Sequence, residues 1–384
     1  MSGGDGAVTR SDIIPGAVNA ERSRIASLDV VRGAVMVLMA IDHVRVYAGV
    51  PAGGPDPAVF FTRWVTHFCA PVFIFLAGTS AYLYGQKVES RAKLAKFLLT
   101  RGLWLVLLEL TLLRFGWTFN FDYAHFTFAG VIWVIGWSMV ILAGLVFLPT
   151  AAIAVLGVAV IVGHNALPMS ESPSPLMRIL HDGWSFEAGP FNVVVLYTLI
   201  PWAGVMAAGY AYGALTRHER FRRASLDLGF VAIVAFFILR LTNAYGDPRP
   251  WEGGVLQFLN TAKYPASLLF LLMTLGPMFL AIGLLRNGPA WLAVFGRVPF
   301  FYYVLHIPLI HGIAVLISLV RTPESTGWLF ANHPMFPPDV PPGYRWSLFL
   351  LYLVTALVVW ALYFPCRWYA RVKAERPRAW MRFV

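Results

Sequence analysis

The chain has 384 residues, of which 58% are hydrophobic, 15% aromatic and only 13% charged, with a formal net charge of +11. A soluble globular domain carries about 25% charged residues, so these proportions exclude an ordinary soluble enzyme and assign the positive balance to membrane-protein loops, not to a nucleic-acid surface. Apolar runs of 18 or more residues and a mean hydropathy of +0.67 predict one all-α, polytopic membrane domain.

Residues 1–24 are polar, with Gly, Ser and Pro and no apolar segment ahead of a small-residue cleavage site. They are expected to be a disordered cytosolic tail and not a cleaved signal peptide. Residues 25–370 are expected to form the membrane domain and 371–384 a basic cytosolic tail. Ten helical spans in one bundle are predicted, near 28–49, 58–85, 94–115, 126–148, 150–165, 191–215, 225–243, 264–285, 289–319 and 346–369. They are read as helices because a lipid-exposed strand leaves backbone groups unsatisfied. The fifth is short and ends in His164, Asn165 and Pro168, so it is expected to stop early or bend. The motif GYAYG, from Gly209 to Gly213, permits a close helix approach.

Lys and Arg collect on alternate loops, as the positive-inside rule requires. Eighteen fall on the side of the two tails and of the basic segments Lys87 to Lys96 and Arg217 to Arg223, against five on the other: Arg178, Arg249, Lys263, Arg321 and Arg345. Both termini are therefore predicted to be cytosolic. The opposite loops 170–190, 243–254 and 322–344 are rich in Pro, Gly and aromatics. They either shape a binding mouth or pack at the interface, with Trp184, Trp251, Trp328 and Trp346 as belt residues.

The first span, SLDVVRGAVMVLMAIDHVRVYAG, is apolar enough to cross a bilayer yet carries Asp29, Arg32, Asp42, His43 and Arg45. A charge at membrane depth costs at least about 2.5 kcal/mol on insertion scales, which makes such residues functional candidates. Arg32 and His43 are eleven residues apart, roughly 16 Å along a helix. Counting depth along each span brings Asp42, His43, His67, Glu109 and His306 to one level in the outer half, with Arg63 nearer the mouth and Arg297 in the inner half. Each has a structural alternative: Asp29 with Arg32 as a local ion pair, Glu109 paired to Arg45, Arg63 or Arg114, and the histidines as satisfied polar residues. Cys69 and Cys366 lie in different spans and offer neither a disulfide framework nor a metal motif. No H-E-x-x-H metal pairing, phosphate loop or nucleophile elbow is present, and no metal is expected.

Arg32, ten residues and then His43, within LDVVRGAVMVLMAIDH, resembles the R-x10-H signature of the transmembrane acyltransferase-3 enzymes. The fuller set RIASLDVVRG, LMAIDHVR, HFCAPVFIFLAG, GVIWVIGWSM and GRVPFFYYVLH is more similar to the heparan-α-glucosaminide N-acetyltransferase catalytic-domain-like proteins, many of them bacterial. The resemblance runs from about 24 to 380. It implies acyl transfer, usually of acetyl, from cytosolic acyl-CoA as co-substrate to an amine or hydroxyl, often of a sugar, at the opposite face. It implies Arg32 at the CoA end and His43 in catalysis, in a bacterial inner (plasma) membrane. One departure is plain: the lysosomal relative's catalytic histidine follows the first conserved span, whereas the loop from Val50 to Pro57 has no His. The heparan substrate therefore does not carry over.

The expected assignment makes His43 the general base, with Asp42, His67 and His306 as further catalytic groups. Arg32 and Arg297 bind acyl-CoA, and Arg45, Arg63 and Glu109 bind the acceptor. Expected partners are the lipid bilayer, acyl-CoA and a sugar-like or amine acceptor, with homo-oligomerisation left open. The rival class is a transporter or permease that uses the same buried Asp and His groups to relay protons or bind a solute.

Overall fold

The structure, a computed structural model, describes residues 25–383, so the expected tail 1–24 lies outside the described residues. Helix α1 (Ala26–Tyr47) is continuous, which puts Arg32 and His43 on one rigid rod. The second helical stretch comes in three pieces: α2 (Pro57–Trp64), a 3₁₀ turn (Val65–Phe68) and α3 (Cys69–Gly85). The side chain of Asp56 caps α2 by accepting from the amides of Ala58 and Val59, with Pro57 at the first helical position. Pro71 has no N–H for the carbonyl four residues back, and its ring crowds that turn, which accounts for the tightening around His67.

Then follow α4 (Arg91–Leu108), a π turn (Glu109–Leu113), α5 (Arg114–Thr118), α6 (Val131–Leu145) and α7 (Thr150–Gly163). The second half holds α8 (Leu199–Leu215), α9 (Phe221–Thr242), α10 (Leu268–Leu284), α11 (Ala290–Arg297), α12 (Pro299–Arg321) and α13 (Leu348–Glu375). Among the described residues four helical stretches are long and apolar enough to cross a membrane: 57–85, α9, α12 and α13. α6, α7, α8 and α10 are apolar but shorter. The protein is thus a mostly helical, membrane-embedded one. Its lipid-facing character is plain on α9, where Phe230, Val231, Phe237, Ile238 and Leu241 are exposed.

Three details depart from expectation. The stretch expected as a helix from 126 begins only at Val131, and that from 191 only at Leu199, because the residues before them form a sheet. β1 (Thr127–Ala129) runs parallel to β3 (Phe191–Val195), which runs antiparallel to β2 (Trp184–Ala188), in the order β1-β3-β2. Thr127 faces Val193, and Trp184 faces Val195. The β-branched run of FNVVV suits a pleated surface, and Gly189, at φ +60°, turns the hairpin. The fold is therefore the expected all-α membrane fold with one small three-stranded sheet added, and among the described residues four helical stretches, not ten, are long and apolar enough to span. Thirdly, the ninth stretch is two helices: Val298, at φ −134° before Pro299, cannot continue α11. The fifth stretch does tighten at its end, into a 3₁₀ turn (His164–Ala166).

Loop-to-loop hydrogen bonds sort the connections into two ends. At one, Arg91 donates to Phe147 O, Arg217 to Gln86 Oε1 and Arg222 to Gly283 O. At the other, Trp346 N donates to Ala48 O, Asn120 to Phe330 O and Leu268 N to Asn165 Oδ1. The first set is the basic one.

Glycines bring the helices to contact distance. A Cβ on Gly209 of α8 would lie 2.0 Å from Phe75 O in α3, in keeping with the expected close approach. On Gly33 of α1 it would lie 1.8 Å from Leu292 O, and on Gly296 of α11 1.8 Å from Asp29 O. This contact sets Arg32 and Arg297 side by side.

Candidate active site

Arg32 sits one turn after Asp29, with Asp29 Oδ1 3.4 Å away. Its guanidinium also donates to Gly296 O (3.1 Å) and Ser80 Oγ (2.8 Å). It faces a cavity of about 370 Å³ at the basic end, together with Arg101, Arg297 and Lys373. Four cations in a lining that is otherwise mostly apolar and, among the described residues, holds no carboxylate suit a polyanionic ligand. Arg32 and Arg297 were expected there. Arg101 and Lys373 were not, since one lies within the third predicted span and the other reads as part of the basic tail.

Eleven residues along α1, His43 meets His306 of α12, with Nδ1 2.6 Å from Nε2. His306 Nδ1 lies 2.7 Å from Tyr303 O and 3.1 Å from Tyr302 O. Carbonyl oxygens only accept, so His306 carries its proton on Nδ1 and offers the lone pair of Nε2. His43 is then the donor through Nδ1, and its own Nε2 keeps a free lone pair. The two rings stack with centroids 4.7 Å apart, and Trp117 packs edge-on against His43 at 4.6 Å. His306 therefore stands behind His43 and fixes its tautomer.

Asp42 points away from this pair. Its oxygens accept from Arg45 Nε (3.0 Å) and Arg63 Nη1 (3.3 Å), forming a buried ionic triad beside the imidazole. Arg45 also donates to Val50 O. His43, Asp42, Arg45 and Arg63 line an outer cavity of about 440 Å³, roofed by Trp328 and His333 from the long loop before α13. His333 lies outside the spans, and burial pushes its pKa down to about 4, so it presents a neutral ring. Trp328 and Trp346 are buried and so are not belt residues, whereas Trp184 is exposed.

A void of about 30 Å³ lies between the two cavities, lined by His43, Asp42, Cys69, Thr66, Phe73 and Lys263 among others. Phe73 also lines the inner cavity. Val131 lines the void and the outer cavity. Three spaces thus follow one another through the molecule, the inner cavity and the void sharing Phe73, and the void and the outer cavity sharing Asp42, His43, Val131 and Tyr197.

His67 is placed apart. Its Nδ1 lies 3.0 Å from the carbonyls of both Arg63 and Trp64, groups that the 3₁₀ turn leaves available. It faces a neighbouring vestibule of about 760 Å³, shared with Arg63, Arg249, Lys263 and Tyr264. Glu109 is not in the cluster. It is fully buried in the π turn, where Oε2 accepts from Ile132 N at 3.0 Å and so caps α6. Among the described residues it makes no ion pair, so the expected pairing with Arg45, Arg63 or Arg114 is absent. Arg114 instead donates to the carbonyls of Phe126, Asn120 and Asp122.

Residues 24–241 match the family model described as "Heparan-alpha-glucosaminide N-acetyltransferase, catalytic". That range holds Arg32, Asp42, His43, Arg63, His67 and Arg101, while Lys263, Arg297, His306 and Lys373 lie beyond it. No curated protein matches the chain.

Proposed function

Since the chain belongs to the heparan-alpha-glucosaminide N-acetyltransferase catalytic family, we propose that it moves an acetyl group from cytosolic acetyl-CoA to an amine or hydroxyl acceptor, sugar-like in class, at the opposite membrane face. The observation that supports this reading is the file of three spaces sharing Phe73 and Val131, with cations at one end and the His43–His306 pair midway. Arg32, Arg101, Arg297 and Lys373 would hold the phosphates. The pantetheine arm, about as long as the roughly 16 Å from Arg32 to His43, would reach the void with its thioester. The acceptor would enter from the outer cavity, where His43 Nε2 takes its proton. His306 orients His43, and the Asp42–Arg45–Arg63 triad shapes the acceptor side. The test is transfer across sealed vesicles of known orientation: acetyl-CoA on the basic-loop side is expected to label an acceptor confined to the other side. Labelling only on the acetyl-CoA side would leave an acyltransferase without transmembrane transfer.

With this direction goes an even number of spans, ten by the sequence reading, and both termini cytosolic in a plasma membrane. Reporter fusions before residue 10 and after residue 380 are expected to read the cytosolic side alike. Opposite readings would make the number of spans odd.

Arg32→Ala is expected to weaken acetyl-CoA binding by the ~1.5–3 kcal/mol of a charge-assisted hydrogen bond, with Arg32→Lys recovering part of it because the planar fork is lost. Titration of the folded variant with acetyl-CoA measures this. Unchanged affinity would restrict Arg32 to holding Asp29, Ser80 and Gly296.

A further inference from the structure

Lys263 stands out as a buried charge in no ion pair among the described residues. It is only 6% exposed, yet among the described residues no carboxylate lies within ion-pair distance and its ammonium donates no hydrogen bond. The Tyr264 ring lies beside it, its centroid 5.2 Å from Nζ. Burying an unpaired ammonium costs several kcal/mol, so the position persists only against some gain elsewhere. The loop is held firmly: Asp247 Oδ2 accepts from Ala262 N and from Ser267 Oγ, both at 2.7 Å, and Ser267 caps α10. Lys263 is therefore fixed between two rigid attachments.

Its surroundings give it a task. Lys263 lines both the 30 Å³ void beside His43 and the vestibule that opens from it. Asp42, the one carboxylate in that void, already has both oxygens engaged by arginines. A space of about 30 Å³ takes one or two waters, or a carbonyl group of similar size.

We infer that Lys263 is the electrophilic residue of the transfer, its ammonium binding the oxyanion that forms at the thioester carbonyl. The inference rests on the acyl-transfer reading above. The acceptor nitrogen or oxygen forms a bond to the carbonyl carbon while His43 Nε2 takes its proton, and the carbonyl π pair moves onto oxygen beside Lys263 Nζ. That pair then returns, the carbon–sulfur bond breaks, and the CoA thiolate leaves with the proton from His43. No oxidant, metal or further reactant enters. A preorganised donor at such an oxygen is worth about 10²–10³ in kcat.

The experiment compares wild type, Lys263→Met, Lys263→Arg and Lys263→Ala in detergent or vesicles, reading acetyl-CoA affinity, kcat and acceptor KM separately. Lys263→Met is expected to bind acetyl-CoA normally, keep the acceptor KM and lose about 10²–10³-fold in kcat. Lys263→Ala is expected to regain rate, saturably, on adding trimethylammonium, a cation that cannot itself be stably acetylated. A wild-type kcat in Lys263→Met overturns the inference, as does a loss that disappears at saturating acceptor, which would make Lys263 an acceptor-binding residue. Should Lys263→Met fail to bind acetyl-CoA, Lys263→Arg decides: a loss of about tenfold or more in kcat is expected, and an unchanged rate sinks the idea. Absence of any transfer by wild type, with acetyl-CoA bound, would instead remove the acyltransferase reading and this inference with it.

Discussion

His43→Ala is expected to bind acetyl-CoA as wild type does and to turn over about 10²–10⁴-fold more slowly, the usual worth of a positioned proton acceptor. The expectation follows from the hydrogen-bond chain, not from the residue type. The carbonyls of Tyr302 and Tyr303 fix the proton of His306, His306 fixes that of His43, and Nε2 of His43 is left to accept. The cations at the phosphate end lie roughly 16 Å along α1 from this pair, so binding and turnover separate. The wild-type rate is expected to fall towards acid as the imidazole protonates and its lone pair is lost. Full turnover in a folded His43→Ala protein would hand the base to another residue.

The second large effect is structural. Gly296→Ala is expected to destabilise the protein by more than the ~1–3 kcal/mol of ordinary overpacking, because the added methyl meets a backbone oxygen, Asp29 O, at 1.8 Å. Backbone cannot swing aside as a side chain does, so α11 must leave α1. Arg297 and Arg32 part with them, and acetyl-CoA affinity is expected to fall together with thermal stability in detergent. Gly144→Ala on α6 is the control, since nothing lies within 4 Å of its new methyl. That change is expected to be neutral or stabilising by up to about 1 kcal/mol, through helix propensity. Equal behaviour of the two variants would mean that α1 and α11 are not packed this tightly.

The sequence made the helical stretches legible because apolar periodicity and length need no partner to be recognised. The placement of Arg32, Arg297, His43 and Arg63 along cavities was legible for the same reason, since depth along a helix is arithmetic. What escaped depends on partners distant in sequence. The strand character of 127–129 and 191–195 appears only when the two segments pair. Glu109 reads as an ionisable group at the right level, but the π turn aims it at the amide of Ile132. Lys263 and Lys373 look like topology charges, and only folding carries them inward. Their one available signal was position: Lys263 lies immediately before an apolar run, on the side where Lys and Arg are otherwise scarce.

That Arg32 and His43 share one unbroken helix has a bearing on how such a chain can vary. Deleting one residue between them turns everything beyond by about 100° and shifts it by about 1.5 Å, which would swing His43 off His306. Substitution along α1 can be absorbed side chain by side chain, but insertion or deletion cannot. A change of length that kept both groups on their faces would have to come in steps of three or four residues. Even then it would alter the reach from phosphate to thioester by roughly 5 Å or more. Between Arg32 and His43, the number of residues is constrained more tightly than their identity.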